Sequence, residues 1–350
     1  MQRWVAGSTG RAAVGVRAPG TPLARFAGGY LAAVCLLALL MWGFGDRWWP
    51  ATVLLFMGRW IFLLPLAVLL PAALLSQRRL VVPLLLGALV VVGPLMGFRT
   101  GWRRLLPGAP GPRVRVVTLN AGGGEAIAPD LPILLERWKG DVIALQECGE
   151  SLVAAARRMD GWYEHDTSGL CLLSRWPIRA SSTMDRRALE RVKQDEAGIG
   201  GAGYVARYDL ATPHGPVNFA TLHLETPRKG FEALASLDIG RLRENTELRD
   251  IESSVARRWL WQAGAPLVVA GDFNMPVESR IFRHYWGDFD DAFSRAGVGL
   301  GATRYNGWIR VRIDHVLVDD AWHAERAVVG DEVASDHRPL LVDLTLVGRR

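Results

Sequence analysis

The chain has 350 residues, half of them apolar, with three cysteines and a formal net charge of +6. That length admits one large domain and a smaller one, and so few cysteines exclude both a disulfide-stapled mini-fold and a cysteine-rich zinc module. The charge suggests a nucleic-acid binder only until it is divided: residues 1–112 hold 11 Arg and one Asp, leaving 30 basic against 34 acidic residues in the remainder, which has no basic excess to track a polyanion.

Residues 1–25 form a basic tail containing Arg3, Arg11, Arg17 and Arg25. Three uncharged apolar runs follow, Phe26–Gly45, Trp60–Gln77 and Leu80–Phe98. Each is close to the roughly 20 residues a helix needs to cross about 30 Å of hydrocarbon. Trp42, Trp48, Trp49, Trp60 and Trp102 lie near the run ends, where an aromatic belt belongs, and Arg59 is placed to snorkel to the interface. Residues 26–98 therefore read as a membrane segment of about three transmembrane helices, with membrane lipids as its partners. A cleaved signal peptide explains neither the three runs nor the late start of the first. Arginines flanking the runs divide six against seven between the two sides, but the flank before the first run is the more basic. That favours an N-terminus inside the cell, a multi-pass protein of the cell membrane, and an extracytoplasmic position for everything after residue 98. Residues 99–112 form a Pro/Gly/Arg-rich linker. Cys35 falls in the first apolar run. Cys148 and Cys171 can pair only if the fold brings them together, so spacing leaves that pairing open and the compartment unread.

Beyond the linker, residues 113–350 alternate short β-branched runs with amphipathic stretches. Val114–Leu119 is a strand delivering Asn120, and Asp141–Leu145 a buried strand delivering Gln146 and Glu147. Leu170–Leu173 and Val217–His223 are further strands. Leu267–Ala270 leads into Asp272 and Asn274, Arg312–Val318 carries Asp314, and Asp336 and His337 precede a last strand, Leu340–Leu346. Helices fit Pro132–Lys139 and Phe231–Gln262, the latter broken near Asp238-Ile239-Gly240. Many strands with helices outside them predict an α/β fold in which two sheets stack and helices cover the outer faces.

The polar residues sit where such strands end. Glu147, Asp336 and the amide oxygen of Asn120 are hard oxygen donors suited to Mg²⁺ or Mn²⁺. His223 and His337 can donate to phosphate oxygens, and Asp272 and Asn274, two apart, turn to one side of an extended chain. Phosphoester hydrolysis needs a cation, a base for water and donors for the developing charge, and this set contains all three. Singly, each residue has a plain structural reading: a solvated Glu147, an Asx turn at Asp272–Asn274, Asp314 paired with Arg310 or Arg312, a satisfied loop histidine at His337.

Taken in order, Leu119-Asn120, Leu145-Gln146-Glu147, Thr221-Leu222-His223, Gly271-Asp272-Phe273-Asn274, Arg312-Ile313-Asp314-His315 and Ser335-Asp336-His337 resemble the successive motifs of the endonuclease/exonuclease/phosphatase (DNase I-like) family. The resemblance implies a two-sheet α/β sandwich and a Mg²⁺-dependent phosphoesterase. It implies Glu147 as the main metal ligand with Asn120 and Asp336 beside it, and Asp272 as the residue that orients or deprotonates water. Asn274 and His223 would contact phosphate, and His337 would donate to it while held by Asp314. The run Ala121-Gly122-Gly123-Gly124 replaces bulkier polar residues found in several nuclease members, so no auxiliary metal contact is expected there. The substrate is either a nucleic-acid phosphodiester, favoured by His223, or a phospholipid or other membrane-associated phosphoester, favoured by the anchor and the acidic domain. A non-catalytic membrane receptor of the same fold is the rival reading; no protein partner is expected.

Overall fold

The structure, a computed structural model, describes residues 21–185, 189, 204–234, 236–264 and 266–348. In chain order the first helices are α1 (Pro22–Phe44), α2 (Trp49–Phe56), α3 (Leu66–Ser76) and α4 (Val81–Val90). Next come β1 (Arg113–Gly123), α5 (Leu131–Trp138), β2 (Val142–Cys148), α6 (Glu150–Ala156), β3 (Tyr163–Thr167), β4 (Leu170–Ser174) and β5 (Ile178–Thr183). They are followed by β6 (Tyr204–Thr212), β7 (Gly215–His223), α7 (Arg228–Leu234), α8 (Ile239–Leu260), β8 (Leu267–Asp272), α9 (Arg280–Trp286), β9 (Asp290–Asp291) and α10 (Ala292–Ala296). The last strands are β10 (Arg304–Asn306), β11 (Ile309–Val311), β12 (Asp314–Val318), β13 (Trp322–Val329) and β14 (Leu340–Leu346).

Two six-stranded sheets result, β13-β14-β1-β2-β4-β3 and β5-β6-β7-β8-β12-β9, with β10–β11 a separate hairpin. At the centre of each sheet one parallel pair, β1–β2 or β7–β8, is flanked by antiparallel neighbours. These central strands are apolar on both faces because both faces are covered. Val116 and Ala144 of the first sheet meet Phe219, Val268 and Val316 of the second in the core between the sheets. Val117, Leu119 and Ile143 turn the other way, onto Leu131, Leu135 and Leu152 of α5 and α6. Leu222 and Val269 do the same against Ala256 and Leu260 of α8 and Trp286 of α9. The fold is thus the expected two-sheet α/β sandwich. The expected helix break is real: α7 stops at Leu234, and Asp238 caps α8 by accepting from Arg241 N at 3.0 Å.

Three stretches, Pro22–Phe44, Arg59–Ser76 and Arg78–Leu95, are long and apolar enough to cross a membrane. Thr21 Oγ1 donates to Gln77 Oε1 at 2.8 Å, so the start of the first and the end of the second lie together at the end away from the sandwich. The opposite end is fastened to the sandwich by buried charge. Asp46 approaches Arg249 at 3.5 Å and Arg59 approaches Glu278 at 3.5 Å. Val311 and Ile313 are buried among the helices, and Phe231 packs against them. The stretch 99–112 is not bare linker. It holds a 3-10 turn at Trp102–Leu105, and Arg104 donates to the carbonyls of Ala296 and Ala327, both at 2.6 Å.

The fold does bring the two cysteines together. Cys148 and Cys171 form a disulfide, because the β2–β4 pairing sets their Cα atoms 6.0 Å apart, a juxtaposition that chain spacing does not show.

Candidate active site

The residues singled out at strand ends converge where the two sheets open at one edge. Asn120 lies near the end of the buried part of β1 and places its Nδ2 2.9 Å from Glu147 Oε1 and 3.0 Å from Asp272 Oδ2. Its Oδ1 accepts from Gly122 N at 3.0 Å, so the amide oxygen expected to face a metal is turned onto its own loop. Ser335 Oγ donates to the Asn120 carbonyl at 2.8 Å, tying the loop before β14 to the end of β1. Asp272 at the end of β8 lies in register with both His223 and Asp314. Its Oδ1 accepts from Asn274 N at 2.8 Å. Gly271 before it has φ +154, and a Cβ there would sit 2.1 Å from the Leu222 carbonyl, so this position admits only glycine.

His223 Nε2 lies 3.6 Å from Glu147 Oε1 and 3.7 Å from Asp272 Oδ2. His337 Nδ1 bonds Asp314 Oδ2 at 2.8 Å, with its Nε2 3.8 Å from Asp272 Oδ2. Asn274 points its Nδ2 to the Leu224 carbonyl at 2.8 Å. Glu147 (φ +51) and Asn274 (φ +53) both adopt the left-handed region without being glycine. Such backbone is uncommon and gathers at functional sites, where the surrounding fold holds it.

Burial first, then the neighbouring Asp314 carboxylate, push the Asp272 carboxyl upward, against the pull of His337, His223 and Asn120. Burial alone would lower His337. The charge and hydrogen bond of Asp314, with Asp272 behind them, outweigh it and lift the imidazole to about 9, while Arg304 opposes. The 2.8 Å approach of Arg304 Nη1 to His337 Nε2 instead requires a lone pair on that nitrogen.

Asp272, Asp314 and His337 bring one ligand atom each within 4.8 Å of one another. The His337–Asp314 bond uses Nδ1 and Oδ2 and leaves the buried Asp314 Oδ1 without a hydrogen-bond partner. Asp336 is engaged by Arg304 Nη2 at 2.7 Å. Among the described residues no Arg or Lys reaches Glu147, whose side chain is 44% exposed, so it is the carboxylate most open to a hard cation. The donor chemistry of Glu147 and Asp272 fits a divalent metal.

A cleft of about 330 Å³ is floored by Asn120, Glu147, His223 and Asp272 and rimmed by Arg228, Lys229 and Arg304. None of the three basic rim residues was expected from the sequence. For Arg304 a signal existed: Gly307-Trp308 fits the Gly-first dipeptide of a two-residue hairpin turn, and it places Arg304 on the strand leading into that turn. Gln146 was expected only to precede Glu147, yet it bridges the sheets, bonding Thr118 Oγ1 at 3.3 Å and Thr221 Oγ1 at 3.0 Å. A larger cavity of about 680 Å³ lies between the helical segment and the β10–β11 hairpin, lined by Arg59, Trp60, Glu278, Trp308 and Arg310 among others. It contains none of the acid–histidine set. Asp290 and Asp291 lie outside this cleft: Asp291 caps α10 and pairs with buried Arg312 and His315.

A two-sheet sandwich with acid and histidine side chains gathered at one edge of the paired sheets is an arrangement suited to phosphoester hydrolysis. The model of the Endonuclease/Exonuclease/phosphatase family matches residues 117–337, and the chain belongs to that family, whose members hydrolyse phosphoester bonds. No protein of curated function matches the chain. A family protein from Bacteroides thetaiotaomicron is similar in structure with a TM-score of 0.51 at 14% identity, covering 68% of this chain and 99% of its own. A second, from Beutenbergia cavernae, gives 0.49 at 18% identity over 67% of this chain and 72% of its own. A 3′ phosphatase from Neisseria, solved with a product DNA hairpin, gives 0.49 at 18% identity over 65% of this chain and 98% of its own.

Proposed function

We propose that the protein is a membrane-anchored, Mg²⁺-dependent phosphoesterase that hydrolyses a phosphodiester, with Mn²⁺ an acceptable substitute. The observation that carries this reading is the single cleft in which Asn120, Glu147, His223 and Asp272 lie within contact distance of one another, with the His337–Asp314 pair behind them.

Glu147 would be the principal ligand of the cation; Asn120 and Asp336, expected beside it, hold their oxygens on Gly122 N and Arg304 and would join it only by turning; the bound ion would supply neutralising charge for the phosphate. Asp272, buried and raised, orients the attacking water and takes its proton. His337, fixed by Asp314, donates to a phosphate oxygen, and His223 and Asn274 hold the remaining oxygens.

A phosphoester at the bilayer surface is favoured as substrate, because α7, which carries Arg228 and Lys229 at the cleft, also packs Phe231 against Phe56 of α2 with ring centroids 5.2 Å apart. The rim is thereby tied to the apolar helices, and tethering raises the local concentration of lipid head groups. A nucleic-acid phosphodiester is the second reading, favoured by His223 and the basic rim. The Cys148–Cys171 disulfide supports a catalytic domain outside the cytoplasm, where such bonds persist.

The test is Mg²⁺-dependent hydrolysis by the full chain in detergent, comparing mixed micelles of phospholipid with supercoiled plasmid. Release of phosphorylated or free head groups without plasmid nicking supports the lipid substrate; nicking with intact lipid selects the nuclease.

A further inference from the structure

The β10–β11 hairpin joins the cleft to the helical segment, and none of the roles above uses it. Its strands pair from Arg304↔Val311 to Asn306↔Ile309, leaving Gly307 and Trp308 as a two-residue turn with Gly307 at φ +55. At its base the chain is bonded to the loop that carries His337. Arg304 and His337 share an antiparallel bridge, Tyr305 N donates to Asp336 O at 2.9 Å, and Arg338 N donates to Thr303 O at 2.7 Å. This register puts the Arg304 guanidinium in the cleft, with Nη1 2.8 Å from His337 Nε2 and Nη2 2.7 Å from Asp336 Oδ2. At its tip, Trp60 Nε1 donates to the Trp308 carbonyl at 3.3 Å, and the two rings lie 5.6 Å apart. On the second strand Val311 is buried among the N-terminal helices.

We propose that Arg304 is a phosphate-binding catalytic residue, and that the N-terminal helical segment holds it in the cleft through the β10–β11 hairpin. A guanidinium is a planar fork that matches two phosphate oxygens, keeps its charge at any working pH, and is oriented here by Asp336 from the side away from the turn. An incoming phosphate oxygen takes the place of the His337 contact, so binding exchanges one charge-assisted hydrogen bond for another. The turn residue Trp308 touches no reacting group and acts through the hairpin backbone as a positioning residue. The inference rests on the phosphoesterase reading.

The full chain in detergent is compared with Arg304→Ala, Arg304→Lys and Trp308→Ala. One readout is turnover of bis(p-nitrophenyl) phosphate with Mg²⁺. The other is calorimetric binding of inorganic phosphate, which needs no turnover. Arg304→Ala is expected to weaken phosphate binding by about 10- to 100-fold, the range of a hydrogen bond to a charged group. Its kcat should fall more than its KM rises, and added guanidinium should restore part of it, which loss of a merely structural ion pair would not allow. Arg304→Lys should recover little. Trp308→Ala should lose roughly 3- to 10-fold in both readouts with an unchanged thermal midpoint and no rescue by guanidinium. Phosphate binding and turnover within about twofold of the parent in Arg304→Ala overturn the inference, as does a parent chain that binds no phosphate. A Trp308→Ala variant equal to the parent beside a failed Arg304→Ala overturns the part assigned to the helices. A parent chain that binds phosphate through Arg304 yet hydrolyses no phosphoester sinks the phosphoesterase reading and leaves Arg304 as the anion contact.

Discussion

Asp46 joins the apolar helices to the sandwich, and its removal tests whether the two form one unit. The residue sits between α1 and α2 at φ +64, with its side chain fully buried. Oδ2 accepts from Ser279 Oγ at 2.6 Å, Arg280 N at 2.9 Å and Ile281 N at 3.4 Å, so it caps the N-terminus of α9 from another part of the chain. Oδ1 lies 3.5 Å from the Arg249 guanidinium, whose side chain is also fully buried. Burial pulls the Arg249 pKa down, and the charges of Asp46 and Glu225 resist that pull. Asp46→Ala therefore leaves a buried cation without its nearest counter-charge and two amides of the first turn of α9 without their acceptor, although Ser279 still caps the helix through Phe282 N. Breaking a buried pair typically costs about 3–5 kcal/mol and losing a cap about 1 kcal/mol. The two overlap here, since Glu225 still faces Arg249, so roughly 3–5 kcal/mol is expected in total. At about 2–4 °C per kcal/mol for a domain of this size, the midpoint should fall by roughly 6–20 °C. Asp46→Asn, which keeps an acceptor for α9 but not the charge, should lose less. Thermal unfolding of the full chain in detergent, followed by near-ultraviolet circular dichroism, measures both. A shift under about 2 °C for Asp46→Ala would refute the docking.

Three other perturbations follow from single contacts. Asp314→Asn keeps the shape beside His337 but removes the charge that lifts it; kcat should drop by roughly 10²–10⁴ as in other oriented histidines, with the alkaline limb of the pH–rate profile moving to lower pH. A profile unchanged on that limb would mean that His337 is not oriented by Asp314. Asp291 is lowered far below the ordinary carboxylate range because Arg312 and His315 overcome the upward push of burial. Its contribution is thus complete above its unfolded pKa of about 3.9 and is lost as pH falls further. Thermal midpoints between pH 3 and 7 should show a flatter acid side in Asp291→Asn, and an equally steep one would contradict the assignment. Gly271→Ala forces a Cβ to within 2.1 Å of the Leu222 carbonyl, and should cost about 3 kcal/mol or more or prevent folding, read as soluble yield and midpoint. Parent-like stability would show that β7 and β8 are not locked at this register.

What was legible in the sequence was whatever a two- or three-residue pattern can hold. Buried strands such as β2 and β8 open on unbroken apolar runs, Val142–Leu145 and Leu267–Ala270, and the polar residues at their ends declare themselves by contrast. The helix break at Asp238 is a capping signal, and it appears where expected. Strand β13 was missed because Glu325 and Arg326 interrupt its apolar alternation at a bulge. Strand β6 alternates Ala206, Tyr208 and Leu210 with Arg207 and Asp209 and was readable, but no chemistry-bearing residue ends it. Contacts between residues far apart in sequence were legible only where the family resemblance implied them, as for His337 and Asp314. Arg304 meets His337 across 33 positions, Asp46 meets Arg249 across more than 200, and Cys148 finds Cys171 only through strand pairing. The net charge of the catalytic region misled in the same way, because Arg228, Lys229 and Arg304 gather at one rim of a domain that is acidic as a whole.

The most direct test of the central claim is hydrolysis of bis(p-nitrophenyl) phosphate by the full chain in detergent, with Mg²⁺ and with EDTA, beside Glu147→Ala and Asp272→Asn. Phosphoester cleavage that requires the metal and falls by about 10²-fold or more in both variants is the expected result. Cleavage indifferent to EDTA, or retained by both variants at the parent rate, would place the chemistry elsewhere and contradict the assignment of this cleft.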